Sequence, residues 1–237
     1  SNVILKTLSY AKMSDIPSFG LESSSAGTTI EEPTGMGIKE YPETPSTTTN
    51  SWTDNGYSVV CKTNDNYHST YDVYYLFDNN ISDGNYFHST ELFNSTLPYA
   101  YTGNTSLNIY IDLGRSIYPR EMSIVPNTDQ FSSSPGIFKI YASNDSASWD
   151  SDNHYSWTEI HSQTSGLTFA NAYISFGDFS TINTPYRYFF MKVENLNGSY
   201  KYLVMREWKI SGIYNITPTP IDIDYKYLAF PHSGGSE

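Results

Sequence analysis

The chain has 237 residues and one cysteine, Cys61, so no disulfide can form within it and packing alone must hold the fold. Basic residues are scarce: 13 Lys and Arg stand against 25 Asp and Glu, a formal charge of −12. No Lys/Arg cluster exists, which argues against nucleic acid, since a phosphate backbone is held by such clusters. No stretch approaches the ~20 apolar residues of a membrane helix, so membrane insertion is not expected. No basic segment with an apolar core opens the chain. It begins with Ser rather than Met, which fits a processed chain or a piece of a longer one.

Catalytic signatures are equally thin. There is no Gly-x-Ser-x-Gly elbow, and His68, His88, His154, His161 and His232 offer no pair at zinc-site spacing. The carboxylate pairs Glu31-Glu32 and Asp222/Asp224 fall near the chain ends, where a two-carboxylate glycosidase site is hard to build. The chain is therefore not expected to be an enzyme.

What is present is tyrosine, with 22 copies, and short runs of alternating apolar and polar residues. Tyrosine suits strands and also serves as a contact residue with an apolar face and a polar tip. Strands are expected around Val59–Cys61, in which Cys61 reads as a small buried hydrophobe. More follow at Leu107–Asp112, Met122–Val125, Ile137–Ser143, Trp157–His161, Tyr173–Phe176, Tyr188–Val193 and Val204–Ile210. Turn signals fall at Asn55-Gly56, Asp83-Gly84, Ser134-Pro135-Gly136 and Asn197-Gly198. No helical stripe exceeds two turns. The pattern is that of an all-β sandwich.

Composition divides the chain into three parts: an extended Ser/Thr/Pro-rich N-terminal arm over residues 1–49, a domain over 50–214, and a C-terminal arm or linker over 215–237. Arms of this composition bury too little to offset their ordering entropy unless a domain surface or a partner subunit holds them. Thr90–Thr105 is long for a connection and carries Leu92, Phe93, Leu97, Tyr99 and Tyr101, which form either a contact surface or packing across the sandwich edge.

Several phrases, in order, resemble one family. Leu76-Phe77-Asp78-Asn79-Asn80-Ile81-Ser82 is followed by Phe87-His88-Ser89, and Ile111-Asp112-Leu113-Gly114 forms a middle strand. Phe138–Asp145 (FKIYASND) precedes Trp149, and Glu207-Trp208-Lys209-Ile210-Ser211-Gly212 closes the set. Together they resemble the discoidin or coagulation-factor type C family, within the galactose-binding-like group, whose sugar-binding members are family 32 carbohydrate-binding modules. The resemblance implies an eight-stranded antiparallel jelly-roll sandwich over 50–214. It also implies binding without chemistry.

The same resemblance implies a structural calcium between the Asp78 loop and the closing glutamate, with Asp78, Asn80, Ser82 or Asp83, and Glu207 as candidates. Calcium takes several hard oxygens, so the donor types suit it. Asn79 stands where a glycine is usual, and Asn tolerates the left-handed backbone. The plainer reading is that Asp78 caps a turn and Glu207 makes a surface pair. The resemblance further implies a sugar site on loops at one end, built around an arginine; here the phrase is Ile124-Val125-Pro126-Asn127, so Asn127 takes the arginine's place. Asp129, Gln130 and Phe131 share that loop, and His88, Tyr71, Tyr101 and Tyr200 are further candidates at the same end. A sugar ring asks for polar groups against its hydroxyls and an aromatic face against its C–H side.

Two functions follow. One is a non-catalytic glycan-binding or adhesion module on the surface of a larger protein or particle, with a carbohydrate or glycoprotein partner. The other is a structural subunit, such as a minor capsid or other virion component, whose arms clamp neighbouring subunits. Both place the chain outside the cell or on a virion surface.

Overall fold

A computed structural model describes residues 37–214 apart from 47–48, 66–68, 83, 94–105, 128–130, 147–155 and 168–171. Most of the N-terminal arm and all of the C-terminal one lie outside the described residues. The strands are β1 (Lys39–Tyr41), β2 (Ser51–Asp54), β3 (Tyr57–Thr63), β4 (Phe87–His88), β5 (Leu107–Pro126), β6 (Pro135–Ser143), β7 (Thr158–Gln163), β8 (Ile174–Phe176), β9 (Tyr186–Leu196) and β10 (Val204–Tyr214). Every pairing among them is antiparallel. Besides these strands there are short 3-10 turns at Ser69–Tyr71, Val73–Phe77 and Phe131–Ser133. Among the described residues no helix is long and apolar enough to cross a membrane.

β5 organises the fold. Its first half pairs with β3 and β9, its second half with β10 and β8. One strand thereby serves two layers: β2-β3-β5-β9-β6-β7, and β8-β5-β10 with β4 and β1 in succession along the far edge of β10. The change of layer falls on Asp112-Leu113-Gly114, where the register with β9 slips between Asp112 and Ile117. Gly114 has φ 68°, a conformation that costs a side-chain-bearing residue. Asp112 Oδ1 accepts the Gly114 N–H at 2.7 Å, and its two oxygens take Arg187 Nε at 2.7 Å and Nη2 at 2.8 Å. The Ile-Asp-Leu-Gly phrase is thus the hinge between the layers.

The core lies between them. Val59, Cys61, Ile109, Ile111, Phe138, Ile140, Phe189 and Met191 come from the first layer, and Met122, Ile124, Phe176, Trp208 and Ile210 from the second. All are buried in one cluster, each large side chain worth about 1.5–3 kcal/mol of transfer free energy. The outer face of the first layer is also apolar: Tyr110, Trp157, Tyr188 and Phe190 are buried together there, with Tyr141 stacked on Phe190 at 4.7 Å.

The hairpin of β2 and β3 turns on Asn55 and Gly56, with φ 49° and 85°, the signs a two-residue type I′ turn requires. Cys61 is buried, as its strand position implies. Three details differ from the sequence-based expectation. Ten strands are described rather than eight, the additions being short edge pieces. Pro135-Gly136 opens β6 instead of completing a turn. The sandwich also reaches back into the stretch assigned to the N-terminal arm, because Lys39–Tyr41 pairs with Ile210–Gly212. The linking residues are tied down as well: Asp54 accepts the Glu43 and Thr44 N–H groups at 3.1 and 2.8 Å, and Ser46 N–H donates to the Phe77 carbonyl at 2.9 Å. A run of polar residues with two prolines hides a strand of three residues from any periodicity argument.

Candidate functional site

At one end of the sandwich the last residues of β5, strand β4 and the start of β10 come together. β4 pairs Phe87 with Met205 and His88 with Val204, and Met205 also meets Pro126. Phe87 is wholly buried, so strand alternation turns His88 outward. Main-chain bonds fix this edge: Ser89 N–H donates to the Leu203 carbonyl at 3.0 Å, and Leu203 N–H donates to Ser89 Oγ at 2.9 Å.

The outcome is a row of half-buried rings drawn from three segments. Tyr86 stacks on Tyr71 at 4.8 Å and 8°. Tyr71 lies 5.9 Å from His88, His88 stacks on Tyr202 at 4.3 Å, and Tyr202 meets the edge of Tyr200 at 5.6 Å. His88 Nδ1 lies 2.6 Å from the Ser89 carbonyl oxygen. That oxygen only accepts, so Nδ1 carries the proton and Nε2 keeps its lone pair. Burial holds the His88 pKa below the usual histidine value, and the ring is neutral at pH 7. Burial also raises the Tyr86 phenol to about 12, helped by its hydrogen bond with Tyr71, so it remains a donor.

Behind the row, Arg206 donates from Nη2 to Asn127 Oδ1 at 3.3 Å and from Nη1 to the Ile81 carbonyl at 2.7 Å. Both side chains are buried. Asn127 therefore faces Arg206, a guanidinium carried by β10. Phe131 begins the Phe131–Ser133 turn, which adjoins the Tyr200 loop closely: a Cβ on Gly198 would fall 2.6 Å from that of Ser132.

Of the residues expected in the ligand site, Tyr71, His88 and Tyr200 share one row, and Asn127 and Phe131 are at the same end. Asp129, Gln130 and Tyr101 lie outside the described residues. Tyr86, Tyr202 and Arg206 escaped sequence reading. Tyr202 carried a usable signal, two residues after Tyr200 on the same loop; Arg206 carried none, being a charge in an otherwise apolar strand start. Phe93, expected either as a contact or as edge packing, is buried, its N–H on the Lys201 carbonyl at 2.9 Å.

The metal candidates are partly assembled. Asp78 and Glu207 are hydrogen-bonded through their carboxyl groups, and the Asn80 N–H donates to both, at 2.9 and 2.8 Å. Burial and the hydrogen bond with Asp78 push Glu207 up to about 9, so without a cation the two carboxyls share one proton at neutral pH. Asn79 takes φ 54°, filling the left-handed position. The Asn80 side chain turns away, its Oδ1 accepting Ser82 N–H and Oγ–H at 3.1 and 2.6 Å. Asp83 lies outside the described residues. Among the described residues no three His, Cys, Asp or Glu side chains converge as a metal site. The two carboxyls supply hard oxygen donors of the kind calcium takes, and are held together at one point.

This pair makes stability depend on pH with a definite sign. An acid whose pKa rises on folding holds its proton more tightly in the folded state. Stability therefore falls as pH rises from the unfolded value near 4.5 to about 9. In metal-free buffer the Tm of the wild type is expected to decline over that window. Glu207→Gln, which is always neutral, is expected to remove most of the decline. A slope unchanged in the variant would show that the pair does not share a proton.

No family model matches the sequence, and no curated protein matches it. Solved structures do. The family 32 carbohydrate-binding module of Clostridium perfringens NanJ, solved with galactose, has TM-score 0.46 and 12% identity, with 65% of this chain and 93% of that one covered. The AlyQ family 32 module, in complex with 4,5-unsaturated mannuronic acid, has TM-score 0.44 and 17% identity, covering 64% and 92%. A fucolectin from striped bass (Morone saxatilis) serum has TM-score 0.48 and 17% identity, covering 68% of this chain and 49% of that one.

Proposed function

We propose that the chain is a non-catalytic glycan-binding module whose site is the ring row Tyr71, Tyr86, His88, Tyr202 and Tyr200. The supporting observation is the convergence of half-buried rings from three separate segments on one end of a sandwich. Aromatic rings offer to the C–H side of a sugar the flat apolar faces that a stacked neighbour does not cover. Each also carries a polar tip, a phenol hydroxyl or an imidazole nitrogen, of the kind that exchanges hydrogen bonds with sugar hydroxyls. Arg206 acts through Asn127 and the Ile81 carbonyl to fix the backdrop, and its burial makes it a positioning residue rather than a contact. Display at a cell or particle surface belongs to the same proposal, as does a structural calcium at Asp78 and Glu207 replacing their shared proton.

His88→Ala and Tyr202→Ala are each expected to weaken binding to an immobilised glycan by about tenfold or more, the loss of one central contact of ~1.4 kcal/mol. Tm should stay within a few degrees of wild type. Unchanged binding in both variants would remove the site from this end. For calcium, added Ca²⁺ is expected to raise the Tm of chelator-treated wild type and to leave Glu207→Gln unmoved; an equal rise in both would refute the assignment.

A further inference from the structure

β10 carries a second feature away from the ring row. A cavity of about 330 Å³ opens between β1, the end of the Val73–Phe77 turn and β10, within the size range of small-molecule sites. Its walls are apolar: Tyr41, Phe77 and Trp208 are buried, with the Phe77 and Trp208 rings 5.9 Å apart. Its rim is polar. Glu40, Glu43, Asn79, Glu207 and Lys209 line it; Glu207 is the acid paired with Asp78, and the others are braced against one another and their neighbours. Lys209 Nζ donates to Glu40 at 2.9 Å and to Asn79 at 3.1 Å, while Glu43 accepts from Lys39 at 2.8 Å and from Arg115 at 3.0 Å.

Three properties select the occupant. The rim charges already neutralise one another, so an ionic ligand would have to break pairs to enter. Carboxylate oxygens alternate with ammonium and amide groups, which suits a partner whose groups both donate and accept, as hydroxyls do. The walls demand C–H surface. Trp208, which lines the cavity, moreover keeps a buried Nε1 with no hydrogen-bond partner.

We infer that this cavity is a second carbohydrate site, taking one neutral pyranose ring with its hydroxyls on the rim and its C–H face on the aromatic walls. It stands apart from the ring row. His88 pairs with Val204, whereas the cavity is lined by Glu207, Trp208 and Lys209 of β10; three to five residues of strand separate them, roughly 10–17 Å. A chain with both sites grips a branched or repeating glycan at two points, and its avidity on a surface exceeds either affinity.

The test uses amide and indole resonances of the full chain. Wild type, His88→Ala and Glu40→Trp are each titrated with D-galactose, D-glucose, D-mannose and N-acetyl-D-glucosamine into the millimolar range. Glu40→Trp sets an indole over the cavity mouth at an exposed strand position and leaves the ring row untouched. The expected result is a saturable shift of the Trp208 indole N–H with at least one sugar, retained in His88→Ala and weakened at least tenfold in Glu40→Trp. Failure of the ring-row site alone would leave the Trp208 shift intact, so the two readings separate. No saturable Trp208 shift with any of the four sugars, or a shift unaffected by Glu40→Trp, would overturn the second site.

Discussion

Arg115→Met destabilises the protein by about 3–5 kcal/mol, the cost of leaving a buried carboxylate without its partner. Arg115 follows the hinge of β5, and its side chain and that of Asp54 are 5% and 1% exposed. Nη2 donates to Asp54 at 2.6 Å and to Glu43 at 3.0 Å. Three rings close round the guanidinium, with centres 4.7 Å away for Tyr41, 4.8 Å for Tyr57 and 5.4 Å for Tyr214, and the Tyr57 and Tyr214 hydroxyls are hydrogen-bonded to each other. The cluster joins β1, the β2–β3 hairpin and the end of β10. Without the arginine, Asp54 keeps only the two main-chain N–H groups of Glu43 and Thr44. Urea unfolding should show the loss as a lower midpoint with an unchanged slope. The double variant Asp54→Asn with Arg115→Met should lose less than the sum of the single losses, because neither partner is then a buried lone charge. Arg115→Lys should recover only part, since an ammonium cannot fork between two carboxylates while lying flat against rings. A loss under about 1 kcal/mol, the range of a surface pair, would mean that the cluster is not a structural anchor.

Gly114→Ala is expected to cost about 3 kcal/mol or more, combining a left-handed backbone with overpacking. Two independent facts make it so. The residue has φ 68°, and a Cβ there would lie 2.4 Å from the Ser58 carbonyl oxygen, a main-chain atom that cannot rotate away. Gly56 separates the two contributions: its φ is 85°, but no atom lies within 4 Å of a Cβ built on it. Gly56→Ala should therefore cost about 1 kcal/mol, the conformational part alone. The difference between the two variants measures the close approach of β5 to β3. Equal losses would show that the backbone yields at Ser58 and that β5 does not need its tight passage between layers.

Much of this fold was legible because its core strands alternate. Tyr188–Val193 and Val204–Ile210 fall inside β9 and β10, and Ile137–Ser143 inside β6. Between Asp112 and Met122 burial goes on alternating, at Leu113, Arg115, Ile117 and Pro119, and changes phase at Arg120-Glu121, where the register with β10 slips. An arginine and a proline at buried positions hid this from an apolar pattern, and only the Ile-Asp-Leu-Gly phrase marked the place. Alternation also blurred in the first half of β5, where Leu107 through Leu113 are all buried, since Tyr110 packs into a second aromatic cluster on the outer face. β1 was invisible for a different reason. A three-residue edge strand is stabilised by its tertiary neighbours, here Arg115 and Asp54, and no local pattern encodes them. Of the proposed ring row, Tyr71, His88 and Tyr200 were named from motif position and loop placement. Their union with Tyr86 and Tyr202 depends on the pairing of β4 with β10, a two-residue contact far apart in the chain. The Asp78 loop was half legible: Asp78 and Glu207 meet, but the orientation of Asn80 toward Ser82 is set by a local turn.

A broad glycan array probed with the purified 237-residue protein, wild type beside His88→Ala and Tyr202→Ala, tests the account most directly. The expected result is a selective set of saccharides bound by wild type and lost or greatly weakened in both variants. An empty array from a protein with an intact cooperative melt would contradict the glycan-binding reading and favour a structural role for the sandwich.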